Sequence, residues 1–378
     1  MSNFRETLGK LLALITAVVF VIALPLILIL FNVGRVVFDQ PRMTEITTEV
    51  AVESKLIPLV LEWFSKSRAA QRQAVVGDLI EEPDIVDLLN FLSLSEWVQL
   101  RDLDLTREIM EPWVAASLEE GYRWIDSDDV FPHVLYDLRD FRAWVSGVRG
   151  EQSLEIVYNS LPSCTDEQVA DFQQRLTEVP AGQLVAYNLC QFPPPYETDQ
   201  RSDYAESLIE VIVNIPDTIT LPADLPDDQE RARADELAEQ GFDVDQIKDS
   251  LRWIRFMGAW GWLIPLGLLL FIVIFAVRTW SSLGRWSGIP LLFGALLTLL
   301  IAFGAFPLFM RLGMAGVRNV VDPEVANEMA KVVRQVIDIF LNPVKLQAGI
   351  LFMVGLVAAN VLPRVGKNNE EEPFAEEE

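Results

Sequence analysis

Histidine is nearly absent from this 378-residue chain, where His133 stands alone. That excludes His-rich metal centres and removes the commonest general base of hydrolytic and transfer chemistry. Cysteine is almost as scarce. Cys164 and Cys190 are the only two, and no CxxC or Cys/His grouping exists to hold zinc or a redox pair. Basic residues are outnumbered 55 to 30 by acids, a formal net charge of −25. A chain so acidic lacks the basic face that phosphate backbones require, so nucleic acid is excluded as a partner. Phosphate-cradling and nucleophile-elbow signatures are missing too: there is no Walker A sequence, no GxGxxG and no GxSxG.

What the chain does have is 51% hydrophobic residues, and they are segregated from the charge. Residues 32–255 hold 44 Asp/Glu and 19 Lys/Arg, so the whole net charge lies in that segment and the remainder is neutral. Outside it, four runs approach the ~20 apolar residues that a bilayer-spanning helix needs. They are 11–31, 257–277, 288–310 and 344–362. The last includes Lys345 and Gln347 near its start. A long side chain at a helix end can snorkel to the interface, so it is read as a span, the alternative being a buried helix of a soluble domain. Arg5 and Lys10 precede the first run, which exceeds the ~7–15 residues of a signal-peptide core and lacks an A-x-A-like exit; it reads as an uncleaved signal anchor.

Orientation follows from loop charge. Arg5 and Lys10, the short Arg278–Arg285 turn, and Arg364 with Lys367 all fall on one side, which the positive-inside rule makes cytoplasmic. The expected order is a cytoplasmic N-terminus (1–10), span one, an acidic outer domain (32–255), span two, a cytoplasmic turn (278–287) and span three. An outer loop (311–343) with an amphipathic helix at 322–341, span four and a disordered acidic tail (363–378) complete it. Trp253, Trp260 and Trp262 at one end of span two, and Trp280 and Trp286 beyond the other, match two interfacial aromatic belts.

The outer domain reads as helical, giving an all-α membrane protein. The spacing predicts a helix over 44–73 with Pro58 as a kink or break, and a short one from Glu82-Pro83 to Leu92. Another begins at Ser95-Glu96-Trp97 and is interrupted by Glu111-Pro112-Trp113. Further helices are predicted over 135–148, after a Thr165 cap, over 202–213 and, as a stalk into span two, over 231–254, with 216–230 a turn-rich connector. Asn342-Pro343 is read as the end of the amphipathic helix. Outside the reducing cytoplasm Cys164 and Cys190 are expected to oxidise, closing a loop of about 27 residues worth roughly 3 kcal/mol; the alternative is two unpaired buried thiols.

Candidate chemistry is sparse. Asp126, Asp128 and Asp129, followed by Asp137, are the densest carboxylate cluster and the weak candidates for a metal. Their spacing puts Asp at positions 1, 3 and 12 of a calcium loop, but Val130 and Phe131 occupy positions 5 and 6, where an oxygen ligand and glycine belong. His133 has no nucleophile or ligand beside it in sequence, and pairs such as Glu81/Glu82 and Glu119/Glu120 reflect acidity alone. No apolar run carries an ionisable residue near its centre, as ion transport usually demands. Thr298 reads as helix-helix glue, and Gly294, Gly304, Ala305, Gly349 and Gly355 as points of close packing. No catalytic residue and no cofactor are assigned.

The order of one span, a large outer domain, two spans, a smaller loop and a last span resembles the layout of FtsX/MacB-type permeases and, in outline, of claudins. The stretches Asp137-Leu138-Arg139, Leu161-Pro162-Ser163-Cys164-Thr165 and Cys190-Gln191-Phe192-Pro193-Pro194 resemble those of bacterial envelope proteins with four transmembrane helices and a large helical outer domain. These resemblances imply a layout and no activity. The expected function is non-enzymatic: recognition, sensing or envelope organisation at the bacterial cytoplasmic membrane. Lipid, and an envelope protein, a cation or the wall, would be the partners, with a cytoplasmic partner possible at Arg278–Arg285. A subunit of a transport complex is the alternative.

Overall fold

The charge-free run beginning at Leu11 forms the middle of a single helix, α1 (Ser2–Val37), unbroken even at Pro25. In the computed structural model of the protein, the residues described are 2–76, 85–178, 189–194, 196–222, 226–305, 308 and 323–368. They form two compact units: unit 1 comprises Met1–Met43, Arg233–Val321 and Ala330–Glu378, and unit 2 comprises Thr44–Ala232 and Asp322–Met329. The Glu82-Pro83 helix start, the Glu81/Glu82 pair, Asp322, most of the 306–322 stretch and the tail from 369 lie outside the described residues.

Unit 2 is helical but not purely so. The 44–73 pattern resolves into α2 (Gln40–Glu53) and α3 (Leu56–Val76), parted at Ser54-Lys55. Pro58 sits third in α3, where its missing N–H costs no helical bond. After a 3₁₀ turn (Ile85–Phe91) come α4 (Leu94–Asp104) and α5 (Arg107–Asp126). The Glu96 carboxylate accepts the Ser93 N–H at 2.7 Å, the return half of a capping box. Pro112 does not interrupt as expected: α5 runs through it and forgoes one backbone bond, and the break lies at Leu105-Thr106.

The expected 135–148 helix is overturned in its first three residues and broken again at Ser146-Gly147. Val134–Asp137 is a strand, β1, followed by α6 (Arg139–Val145) and α7 (Val148–Asn159). Its partner β2 (Thr218–Leu221) comes from the stretch read as a connector, paired antiparallel with Val134 opposite Leu221 and Asp137 opposite Thr218. Both segments are rich in β-branched and aromatic residues. Pairing across some 80 residues is invisible to a local pattern, so all-α becomes mainly helical with one two-stranded sheet among the described residues. Then α8 (Asp166–Glu178) starts at the predicted Thr165, whose Oγ1 accepts the Gln168 N–H at 3.3 Å. α9 covers Glu197–Val213. The core gathers Leu88, Leu92, Trp97 and Leu100 with Leu154, Val157, Tyr158, Leu161 and Tyr204.

The predicted stalk is two helices, α10 (Asp227–Glu239) and α11 (Val244–Trp260). Gly241 at φ 95° ends the first, with the Phe242 N–H reaching back to the Leu237 carbonyl at 2.8 Å, and Asp243 caps the second. Span two is also broken. α11 and α12 (Leu263–Ala276) meet at 56°, because Pro265 can neither donate to the Gly261 carbonyl nor fit against it. The 14 residues of α12 reach about 21 Å, short of a ~30 Å hydrocarbon core.

α13 (Trp280–Gly304) is continuous through the π segment Gly284–Gly288 and runs into a second, Ile301–Ala305. α14 (Pro323–Asn368) is one 46-residue helix that merges the amphipathic helix, span four and the start of the tail. Pro343 and Pro363 lie inside it, so Asn342-Pro343 does not end a helix; the long apolar faces on both sides carry it across one lost backbone bond. Among the described residues three helices, α1, α13 and α14, are long and apolar enough to cross a membrane, or four if α11 and α12 count as one.

Within unit 1, Ala17, Phe20 and Leu24 of α1 pack on Ile272 and Leu291. Polar residues are used in pairs. The Asn32 amide donates to Gln347 Oε1 at 2.8 Å and accepts from Gln347 Nε2 at 3.2 Å, a reciprocal clasp between α1 and α14. Thr298 is fully buried, but its hydroxyl bonds its own helix at the Gly294 carbonyl (2.8 Å), so it bridges no neighbour. A close approach occurs at Gly284 and Gly288, a G-x-x-x-G pair whose second glycine opens the 288–310 run. A Cβ on either would lie 2.5 or 2.7 Å from the backbone of Ala358 or Ala359 on α14. Gly304 and Gly349, expected to pack closely, do not: a Cβ on either would have nothing within 4 Å.

Candidate apolar binding site

Unit 2 holds a half-open cavity of about 370 Å³ bounded by α4, α6, α7 and α9, with Leu61 of α3 and Leu89 at its edge. Its size is that of a small-molecule site. Sequence dictates its corner. α6 turns into α7 at Ser146-Gly147, and a Cβ on Gly150 would stand 1.7 Å from the Val145 carbonyl oxygen, so only glycine allows that crossing. Leu154 and Val157 then present the wall of α7, and Ile209 and Ile212 that of α9.

Polar side chains interrupt the apolar lining at Trp97, Arg101, Asp104, Ser146, Glu151 and Ser153, and two of them carry an unpartnered buried atom. Trp97 is 7% exposed, and its indole N–H is buried without a hydrogen-bond partner among the described residues. Asp104 accepts from the Ser153 hydroxyl at 2.8 Å through Oδ2, while its Oδ1 is buried and unpartnered. The two residues are seven apart on α4, hence on one face and about 10.5 Å along the axis. Burial pushes the Asp104 carboxyl above its ordinary value; the Ser153 hydrogen bond and the Arg149 charge oppose that rise. Arg149 is held close by stacking 3.5 Å over the Trp144 ring, and both residues donate to the Leu103 carbonyl, at 2.9 Å from Trp144 and 3.1 Å from Arg149. Arg101, 8% exposed, also lines the cavity, but its guanidinium is engaged by the Ser54 carbonyl and Asp102.

Beside the cavity wall a buried polar network fixes the cysteine segment. The Gln200 amide accepts from Tyr158 Oη (2.9 Å) and the Phe192 N–H (3.0 Å), and donates to the Cys190 carbonyl (2.8 Å) and Tyr204 Oη (3.0 Å). Burial, then the Glu197 charge, push the Tyr158 hydroxyl above its ordinary value. Cys164 and Cys190 lie with their sulfurs 2.09 Å apart, at disulfide distance. The segments around them run parallel, with Cys164 N–H to Gln191 O at 2.9 Å and Gln191 N–H to Pro162 O at 2.8 Å.

The other residues singled out from sequence do not converge here. Among the described residues no group of three or more His, Cys, Asp or Glu could hold a metal ion. Asp126, Asp128 and Asp129 therefore form no such site. Asp129 instead lies 3.5 Å from Arg123, which also pairs with Glu120 and holds that carboxyl below its ordinary value. His133 Nε2 is 3.2 Å from Glu230 Oε1, and the His133 backbone N–H donates to Glu120 Oε1 at 3.3 Å. That ties the end of β1 to α10 and α5.

Sequence reading missed Trp97, Asp104 and Gln200. The signal for the first two was present: Trp97, Leu100 and Asp104 share one face of α4, and a carboxylate ending an apolar stripe marks a polar group carried inward. For Gln200 there was no signal, because its partners come from three separate segments. No protein-family profile, no curated protein and no solved structure matches this chain.

Proposed function

We propose that the chain is a multi-pass protein of the bacterial cytoplasmic membrane whose unit 2 is a recognition module outside the membrane, receiving a small, largely apolar ligand. The observation that carries this reading is the unit 2 cavity. A buried indole N–H and a buried carboxylate oxygen without partners each cost about 1–3 kcal/mol. Native proteins retain few such groups without a use for them. Both side chains line the cavity, and a ligand with an acceptor and a donor recovers both terms when the indole and the carboxyl turn to meet it, while its body fills the apolar space.

The acidity of residues 32–255 supports the outward placement, because such a segment is repelled by anionic lipid and favours cationic or neutral partners. Loop charge supports N-terminus and C-terminus inside.

A thermal-shift screen of apolar compounds with one donor and one acceptor, on the full chain in lipid nanodiscs, tests this. A compound at about 100 times its Kd stabilises the wild type by about 2.7 kcal/mol. Ala205→Trp, which fills the cavity from α9, abolishes the shift. A compound that stabilises Ala205→Trp as well as wild type, or a screen with no stabiliser, sinks the proposal.

A further inference from the structure

The charge distribution has a second side. Residues 250–321 contain Arg252, Arg255, Arg278, Arg285, Arg311 and Arg318 and not one Asp or Glu, inside a chain of net charge −25. Within unit 1, α1 and α13 flank an apolar groove of about 570 Å³. Leu14, Val18 and Ile22 line it from α1, and Arg285, Ile289 and Phe293 from α13, each set repeating every four residues over about 12 Å. Arg285 is the one charged residue in the lining. Among the described residues no ion pair or hydrogen bond engages its guanidinium, unlike that of Arg278, which donates to the Ile274 and Val277 carbonyls.

The backbone places Arg285 there. The π segment Gly284–Gly288 turns its two glycines onto α14, where a Cβ would collide with Ala358 or Ala359. Of the three residues between them, Arg285 and Trp286 are thereby left to the groove against α1. π segments of this kind occur frequently at functional sites. An unpaired guanidinium heading a groove with no acidic residue complements an anionic head on an apolar tail.

We propose that this groove is a site for an anionic phospholipid, whose phosphate pairs with Arg285 and whose acyl chain lies along Leu14, Val18 and Ile22. Arginine matches phosphate geometry through two parallel N–H donors. The apolar stripe then distinguishes a lipid from free phosphate. The proposal rests on unit 1 being embedded in a bilayer.

The test reconstitutes the full chain in liposomes of equal phosphatidylcholine and phosphatidylglycerol, confirms flotation, and counts retained lipids by native mass spectrometry. Wild type is expected to retain phosphatidylglycerol about fivefold over phosphatidylcholine, the ratio for about 1 kcal/mol per basic residue near an anionic surface. Arg285→Gln brings the ratio close to one, Arg285→Lys keeps most of it, and Val18→Trp lowers retention by blocking the chain. Equal retention of both lipids by wild type, or an unchanged ratio in Arg285→Gln, overturns the proposal, as does displacement by millimolar inorganic phosphate alone. Protein that fails to float overturns the membrane reading instead, so the two failures are distinct.

Discussion

Replacing Gln200 with leucine removes the centre of the network that holds the Cys190 segment against α7 and α9. Gln200 is 3% exposed, and its amide makes four hydrogen bonds of 2.8–3.0 Å. Two partners are main-chain groups, the Cys190 carbonyl and the Phe192 N–H, and Cys190 and Phe192 are themselves buried. Leucine of similar size offers neither donor nor acceptor. Each orphaned buried group costs about 1–3 kcal/mol, and each tyrosine hydroxyl bond about 1 kcal/mol, while the added apolar surface offsets part of the loss. The expected net cost is about 4 kcal/mol. Hydrogen-exchange mass spectrometry reads this locally: a peptide covering 189–204 exchanges several hundredfold to a thousandfold faster in Gln200→Leu, at 1.4 kcal/mol per factor of ten. Tyr158→Phe, which deletes one donor, accelerates the same peptide about fivefold. A peptide from 11–31 in unit 1 is unchanged in both. Acceleration below about tenfold in Gln200→Leu refutes the assignment of the network as the anchor of that segment.

Two further outcomes follow from the same geometry. Asp104 is raised by burial, so its folded pKa exceeds the unfolded one; its favourable contribution is complete below the ordinary value of 3.8 and is lost as pH rises through the folded value. Asp104→Asn is therefore expected to raise the thermal midpoint at neutral pH and to give no gain in acid, and a pH-independent difference speaks against burial as the cause. On intact cells, Cys164 and Cys190 are expected to resist a membrane-impermeant maleimide until reduced and then to react. Reaction without reduction argues against a bonded pair, and reaction only after lysis reverses the orientation.

How much was legible differs between the units. In unit 1 each apolar run is long enough to demand helix in any setting, so α1, α13 and the second half of α14 could be read directly. The bend before Pro265 and the continuity through Pro343 could not. Both prolines lack the same N–H, and whether a helix breaks or absorbs the loss depends on what packs beside it. In unit 2 capping residues were reliable, as at Thr165, because a cap is a local match between one side chain and the next turn. Strand β1 was misread as helix, since Val134 to Asp137 has no local reason to pair and β2 is some 80 residues away.

Composition and order alone thus determined where the charge lies, which helices can span a membrane, and which chemistries are excluded, because burial of long apolar runs and separation of charge need no tertiary information. Only the tertiary structure decided the rest. It brought α4, α6, α7 and α9 around a cavity, left the Trp97 N–H and Asp104 Oδ1 unpartnered inside unit 2, and turned Gly284 and Gly288 onto α14 so that Arg285 faced a groove. Each of these depends on groups distant in sequence meeting at van der Waals range. The length of a hydrophobic run cannot encode that.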